Sequence, residues 1–451
     1  MNNYKNLKNE KNMNILLIHP KLTHGPVIRE DRGTFRAKFF TNPEMTLPAV
    51  AAAIPNNHNI RIILETFEDI DYSDNYDLVG ISCFTMFAPA VYEIADRFRK
   101  LGVPVVLGGY HPSALPEEAI KHADSVVIGE AEYNFPRLLK DMEKGKLQSY
   151  YKNEKPVKSE DIPSLRRDLL SFQSLTDGIR ITRGCPNRCE FCSITYFFKH
   201  CYRKRPIKKV IEELKSLTRK FIYIHDANLT ADLSYSKAIF KAMIKENINK
   251  KWFANGNINI LGENKEFLKL AKKSGCVGWT VGLESASQQS LNSVNKKNNK
   301  VEKYTEWINT IKRNGMAVSG LLMFGFDEDT LDIFDKTIDA LNNWNIDAGE
   351  FNILTPLPGT PLYNRLEKEG RILTKDWSKY TQSEVVFQPK QMTPKELYEG
   401  TKKVIKEFHT INKMLARWIK LPKISLSTST ISSMITMDLF RKVWYRREYN
   451  I

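Results

Sequence analysis

The sequence predicts an α/β protein: an N-terminal doubly wound (Rossmann-like) domain, then a partial (β/α)6 barrel, then a mainly helical C-terminal extension. Three observations predict it. Short runs rich in Val, Ile and Leu alternate with helical stretches over residues 13–146. A second alternation of six strand–helix steps starts near residue 178. The chain is 451 residues long with 42% apolar side chains, enough for two or three domains with proper cores.

The first set of strand candidates is "MNILLIH" (13–19), "IRIILE" (60–65), "YDLVGIS" (76–82), "VPVVLGG" (103–109) and "SVVIG" (125–129). Helical patterns lie between them at 88–102 and 117–123, and Gly102 marks the usual helix-to-strand punctuation. Such a sheet carries ligands at the carboxyl ends of its strands. Residues 147–177 show no strong period and include Pro156 and Pro163, so they read as a linker.

The barrel is expected over 178–365. Its strand candidates are "GIRITRG" (178–184), "FIYIHDA" (221–227), "WFANGNI" (252–258), "VGWTVGLE" (277–284), "AVSGLLMFG" (317–325) and "GEFNILT" (349–355). Helices are expected at about 206–218, 233–247, 264–274, 300–314 and 329–344. Asp226, Asn257, Glu284, Ser285 and Thr355 fall at strand ends, where barrels of this kind place their chemistry. Residues 366–451 form the C-terminal extension.

Six cysteines are present, and three of them, Cys185, Cys189 and Cys192, sit within eight residues in "CPNRCEFC" straight after the first barrel strand. So low a density is no disulfide scaffold. Thiolates at spacings of two to four residues wrap soft metal centres. A structural zinc would want a fourth ligand, with His200 and Cys201 nearby, but no second ligand hairpin follows. An iron–sulfur cube normally takes four thiolates, so three leave one iron open to a substrate or cofactor. Spacing alone leaves both open.

"CPNRCEFC", with C-x3-C-x2-C spacing and an aromatic before the last cysteine, resembles the cluster motif of the radical S-adenosylmethionine (SAM) superfamily. The resemblance implies a [4Fe-4S] cluster on Cys185, Cys189 and Cys192, with SAM chelating the fourth iron through its amino and carboxylate groups. Phe191 would pack beside the adenine. "VGLES" (281–285) looks like the fourth-strand motif, placing Glu284 and Ser285 near SAM. "GLLMFGFDED" (320–329) looks like the fifth-strand glycine motif, in which Gly325 would let backbone approach the adenine; Gly320 and Gly325 sit one residue farther apart than in the common form. Asp226, in "HDAN", and Asn257 fall at strand ends facing the same cofactor. Cys201 lies outside the pattern and reads as a free, partly buried thiol.

The doubly wound domain before such a barrel resembles the cobalamin-binding subgroup of that superfamily. "GISCFT" (80–85), "VVLGGYHPSALPEEA" (105–119) and "ADSVVIGEAEYNFPRLLKDM" (123–142) carry the resemblance. It implies that Ser82 and Thr85 offer hydroxyls to the nucleotide tail, that Gly108 and Gly109 let backbone approach the corrinoid, and that His111 lies at its edge. The D-x-H-x-x-G box with a cobalt-ligating histidine is missing; His19 and His24 lack its spacing.

The function expected is that of a cobalamin-dependent radical SAM enzyme, a methyltransferase of unactivated carbon. The alternative is a cyclase, rearrangement or oxidative enzyme on the same architecture, with a small molecule or a lipid as substrate. A reductant such as flavodoxin or ferredoxin is the expected partner. A methylthiotransferase would carry a second three-cysteine cluster near the N-terminus, where only Cys83 occurs, and a metal-stabilised binding protein would not need the polar barrel mouth. The net charge of +16 is spread over most helices, so a nucleic-acid role is not expected. The N-terminus lacks a signal peptide's apolar core, and the protein reads as cytoplasmic. The tail interleaves Trp418, Leu439, Phe440, Trp444 and Tyr445 with Arg and Lys; it either rests on a membrane interface or packs on the main body.

Overall fold

The computed structural model describes residues 12–21, 44–172 and 174–419, and within the tail residues 435, 438, 439, 441–443, 445, 446 and 449. His24, Phe440 and Trp444 lie outside the described residues. The chain forms two compact units that divide at residues 173 and 174.

The N-terminal unit is a six-stranded sheet: β1 (Asn14–His19), β2 (Asn59–Leu64), β3 (Leu78–Ser82), β4 (Val105–Gly108), β5 (Ser125–Ile128) and β6 (Tyr150–Lys152). Every pairing is parallel and the order is β2-β1-β3-β4-β5-β6. Strands β1 and β3 are buried almost throughout, as a sheet covered on both faces requires. One face packs the helices Thr46–Ala52 and Ala131–Glu143 through Leu47, Ala51, Phe135 and Leu138. β6 falls inside the stretch expected as linker. It has three residues, too few to show a period, yet Tyr151 is fully buried against the sheet. Leu169, Leu170 and Phe172 also pack back onto this core, and Phe172 stacks on Phe67 with ring centroids 3.7 Å apart. Most of the expected linker therefore belongs to the N-terminal unit.

The C-terminal unit holds a second parallel sheet: β7 (Asp177–Ile179), β10 (Phe221–Ile224), β11 (Lys251–Gly256), β12 (Cys276–Glu284), β13 (Ala317–Phe324) and β14 (Ala348–Ile353). Neighbours pair in chain order from β7 to β14, and these two end strands do not pair with each other, which makes a partial barrel. A separate antiparallel ribbon joins β8 (Thr182–Arg183) to β9 (Arg203–Lys204). The expected first strand, 178–184, is thus split in two.

Alternation along each strand gives the barrel two different faces. Ile222, Ile224, Trp252, Trp279, Val281, Val318 and Ile353 face out and join one continuous core with the helices. The opposite face carries Tyr223, Asn255, Thr280, Ser319, Glu350 and Asn352. On this polar face Tyr223 Oη donates to Asn255 Oδ1 at 2.7 Å.

The tail returns to the barrel. Trp418 packs against Phe253, Val277 and Ala317, Arg441 pairs with Glu350, and the buried Tyr445 donates its hydroxyl to Phe351 O at 3.2 Å. Trp418 and Tyr445 are thus engaged with protein, as the second of the two expected alternatives, packing on the main body, has it. Among the described residues no helix is long and apolar enough to cross a membrane.

Candidate active site

The site is built where β7 hands the chain to the cysteine loop. Asp226, just past β10, is fully buried. Its Oδ1 accepts the Ile181 N–H at 2.8 Å; its Oδ2 accepts the Thr182 N–H at 2.9 Å and the Thr182 hydroxyl at 2.7 Å. Burial pushes its carboxyl up to about 6, against the pull of those three donors. This corrects the expectation that Asp226 contacts SAM. Both oxygens are engaged with the strand that leads into the cysteine loop, so Asp226 is a positioning residue, and its grip on Ile181 and Thr182 accompanies the split of the first strand.

Gly184 sits immediately before Cys185 at φ +80°, and a Cβ there would lie 1.9 Å from Cys201 O. That neighbour is backbone and cannot swing aside. Gly184→Ala is expected to cost about 1–3 kcal/mol through its conformation alone, with the clash in addition. It should cut bound iron per chain after reconstitution well below that of the parent protein, measured beside the melting temperature.

Cys185 and Cys189 are buried, Cys192 is half-buried, and all three are free. Cys192 N–H donates to Cys189 O at 3.1 Å, closing the loop on itself. Burial raises the Cys185 thiol, and raises that of Cys189 to about 12. Cys192 adds to the raise at Cys185, and both Cys192 and Cys185 add to that at Cys189. Bare, the Cys185 and Cys189 thiols stay protonated; a positive centre beside them would reverse that. Among the described residues no three Cys, His, Asp or Glu side chains converge as ligands of one ion would. A cube needs no such convergence, because each thiolate binds a different iron. Three thiols on one loop are the donor set of a cube that keeps one iron open.

Glu284 closes β12 in the left-handed region, at φ +64°, where the β12–β13 register shifts. Such a bulge re-aims a side chain. Tyr304 Oη donates to Leu283 O at 2.7 Å, and Asn299 Nδ2 donates to Gly282 O at 2.8 Å, which hold the bulge in place. Glu284 Oε1 then meets Lys296 Nζ at 2.6 Å, with the two side chains 9% and 15% exposed. A Cβ on Gly282 would stand 2.2 Å from that same Oε1. Burial works against the Lys296 charge, but Glu284 and then Cys189 and Cys192 outweigh it and hold the ammonium above the usual lysine range. The site therefore presents an anion and a cation side by side next to the cysteines. The two charges are paired with each other.

The remaining residues expected at SAM divide. Asn257 follows β11, half-buried, with no hydrogen bond from its side-chain amide to a described residue. Phe191 is partly buried, its ring 6.2 Å from that of Phe326. Ser285 is buried and its Oγ accepts the Ser287 N–H at 3.0 Å, a turn-forming bond that leaves the hydroxyl proton to give. Gly325 N–H donates to Asp329 Oδ2 at 2.9 Å, and a Cβ would meet Leu397 at 2.8 Å and Phe387 at 3.1 Å. Its N–H is engaged by a turn, and the space a side chain would take is filled by Leu397 and Phe387. Sequence reasoning missed Lys296. It lies twelve residues beyond Glu284, across the helix Gln288–Ser293, with no local spacing to tie the two.

The N-terminal unit presents a second edge. The order β2-β1-β3 puts the switch point of the sheet beside β3. Ser82 ends β3 and is buried. Thr85 follows, 2% exposed, and its Oγ1 has no hydrogen-bond partner. Phe84 between them is 53% exposed. A buried orphan hydroxyl beside an open aromatic is what a large ligand with a polar tail would use, so the edge fits a corrinoid. Gly108 ends β4 in ordinary contact with Val127. Gly109, at φ +100°, leaves only 2.9 Å between a would-be Cβ and Cys83 O; its close approach is to the chain's own backbone. His111 is corrected. It is fully buried, and its Nε2 lies 3.1 Å from Tyr92 Oη and 3.2 Å from Glu118 Oε1, turned into the unit and not to an open edge.

Thr85→Val gives a two-sided expectation. Without ligand, an isosteric loss of an unpartnered hydroxyl leaves stability equal or higher. Corrinoid affinity should fall up to about tenfold, the worth of one hydrogen bond. Spectroscopic titration beside thermal melts checks both.

Three family models match the chain: the B12 binding domain over residues 49–139, the Radical SAM superfamily over 179–341 and a domain of unknown function (DUF4070) over 360–443. The bacteriochlorophyllide d C-8(2)-methyltransferase of Chlorobaculum tepidum is 33% identical over 411 residues, covering 85% of this chain and 90% of that protein. The bacteriochlorophyllide d C-12(1)-methyltransferase of the same organism is 32% identical over 360 residues, 77% of each chain. Among solved structures, the cobalamin-dependent SAM radical enzyme OxsB with aqua-cobalamin and SAM bound aligns with TM-score 0.69 at 13% identity, covering 96% of this chain and 72% of that one. A three-cysteine loop at the mouth of a partial barrel, preceded by a doubly wound unit with an open ligand edge, defines the class; the chain belongs to the cobalamin-binding branch of the radical SAM superfamily. It is a radical SAM enzyme close to methyltransferases, and its cofactors are SAM, a [4Fe-4S] cluster and cobalamin.

Proposed function

We propose that the protein is a C-methyltransferase that transfers a methyl group to an unactivated carbon of a small, mostly apolar molecule or lipid, with electrons from a flavodoxin- or ferredoxin-type donor. When bound, the three cofactors supply a 5'-deoxyadenosyl radical from reductive cleavage of SAM and a methyl group for transfer. The observation that carries the reading is likeness to two methyltransferases at 32% and 33% identity, joined to a nearly buried Glu284–Lys296 ion pair beside the three-cysteine loop.

The chain's own part is positional. Cys185, Cys189 and Cys192 would hold three irons and leave the fourth open. Lys296 would take the carboxylate of SAM and Glu284 its ammonium. The free amide of Asn257 and the hydroxyl of Ser285 offer polar contacts on the same rim, and Phe191 an apolar wall. Asp226 keeps the cysteine loop in register. Ser82 and Thr85 would hold the nucleotide tail of the corrinoid. Hydrogen removal by a radical needs no protein base, and the reading assigns none.

The second reading, ring formation or oxidation without methyl transfer, draws on the anaerobic magnesium-protoporphyrin IX monomethyl ester cyclase of Cereibacter sphaeroides, 25% identical over 376 residues. Anaerobically reconstituted protein separates the two. With excess hydroxocobalamin, reductant and SAM, methyl transfer predicts bound corrinoid and release of S-adenosylhomocysteine. Release of 5'-deoxyadenosine alone favours the second reading. A loaded cluster without bound corrinoid sinks the first.

A further inference from the structure

The helix Pro361–Lys368 lies in the region matched as a domain of unknown function, beyond the Radical SAM match, which ends at residue 341. Leu362 and Leu366, 2% and 0% exposed, seat it in the barrel's outer core. Thr360 caps it, its Oγ1 accepting the Tyr363 N–H at 3.2 Å. A helix held this firmly can aim a side chain, and two of its groups reach the cysteine loop. Leu362 N–H, one of the donors a helix start leaves over, donates to Glu190 O at 3.3 Å. Arg365 Nε donates to Glu190 Oε1 at 2.7 Å. Glu190 stands between Cys189 and Phe191.

The same guanidinium has a second hold. Arg365 Nη1 donates to Asp327 Oδ2 at 2.7 Å. Asp327 follows β13, and its other oxygen accepts from Arg371 Nη2 at 2.7 Å. The turn that carries Asp327 is pinned. Asp329 Oδ2 accepts the N–H groups of Gly325 and Phe326, and its Oδ1 accepts the Ser290 hydroxyl at 2.6 Å. Phe191 and Phe326, the chain neighbours of Glu190 and Asp327, meet with ring centroids 6.2 Å apart. The cysteine loop and this turn are therefore joined twice, once by rings and once through Arg365. The Arg365 side chain is 35% exposed, so a lone ion pair there would contribute little to stability. A planar cation shared by two carboxylates on different loops fixes direction as well as distance, which a point charge does not.

We propose that the region of unknown function reaches into the active site: Arg365 clamps the cysteine loop to the turn after β13 and holds the loop in its SAM-binding arrangement. The proposal rests on the assignment of the cluster to Cys185, Cys189 and Cys192. Arg365 acts through Glu190 and is a positioning residue.

Hydrogen exchange of the full-length chain tests the clamp without any cofactor. Arg365→Met should speed exchange over residues 187–193 about tenfold. Glu190→Gln weakens the same bond from the loop's side and should act in the same direction. Arg371→Met is the control, because Arg371 holds Asp327 and Glu369 but not the cysteine loop; it should keep the parent's rate there. Anaerobically reconstituted protein tests the consequence. At equal iron content, Arg365→Met should need about tenfold more SAM than the parent to change the EPR signal of its reduced cluster. Arg365→Lys should fall between the two, since an ammonium keeps the charge but not both directions, and Arg371→Met should titrate like the parent. Lower iron in Arg365→Met, with Arg371→Met fully loaded, supports the clamp as well. Parent-like exchange in both Arg365→Met and Glu190→Gln overturns it, and so does equal opening in Arg371→Met. Faster exchange with an unshifted SAM titration makes Arg365 a structural tie and overturns its part in SAM binding. A parent protein that assembles no cluster overturns the underlying assignment instead, and exchange still decides the clamp.

Discussion

Cys185→Ala, Cys189→Ala and Cys192→Ala are each expected to lower iron from about four atoms per chain to near zero and to take SAM cleavage to background. A cube held by three thiolates has no spare ligand. The fold should survive. Removing one sulfur from a loop removes little core, a change of about 1 kcal/mol, and neither sheet depends on these side chains. Cys201→Ala is the internal control. Cys201 is half-buried and free, and its part near the loop is played by its carbonyl, against which Gly184 packs. It should load iron like the parent. Visible spectra and iron analysis under anaerobic conditions read the result. A Cys189→Ala protein that keeps a full cluster would remove the basis for the assignment. If zinc rather than iron restored stability to the parent protein, the zinc alternative left open by the spacing would return.

The architecture was legible because its signals are repetitive. Ile222 and Ile224 alternate with Tyr223, and Trp279 and Val281 with Thr280, so runs such as "FIYI" and "VGWTVGLE" declare strands on their own. The three cysteines were legible for a similar reason: their ligand set is local in sequence. What escaped was non-local. Tyr150–Lys152 is too short for a period and becomes a strand only through its pairing with Val126–Ile128. Asp226 stood at a strand end, where a ligand contact is the default expectation, but three donors from Ile181 and Thr182 claim it. Gly325 and His111 likewise have partners that no spacing reveals: Asp329, Leu397 and Phe387 for the glycine, Tyr92 and Glu118 for the histidine. Charge pattern was also a poor guide to the tail, because Arg441 is matched by Glu350, some ninety residues back and visible only in the fold. Polar residues at strand ends mark a site in sequence; which of them faces the ligand is decided by backbone groups that sequence does not display.

The Glu284–Lys296 pair yields the sharper test, because its two roles predict opposite recoveries. Taken as a structural pair, it is nearly buried, and breaking it from one side leaves a charge without its partner. Glu284→Gln or Lys296→Met should then each destabilise the protein, by up to about 3–5 kcal/mol. The double variant should recover much of that, since a neutral pair leaves no buried charge behind. Taken as a ligand for SAM, the pair behaves differently. Each single variant removes one of two charges matched to the zwitterion, and each is expected to weaken SAM binding about 10- to 100-fold, or about 1.4–2.7 kcal/mol. The double variant removes both and should bind SAM no better than the weaker single. Stability is thus expected to return in the double variant while affinity does not. Thermal melts and equilibrium dialysis of SAM with cluster-loaded protein read the two quantities on the same samples. Recovery of both together would make the pair a packing device of the β12 bulge, and the zwitterion would have to be held by other groups on the rim, Asn257 and Ser285 first among them.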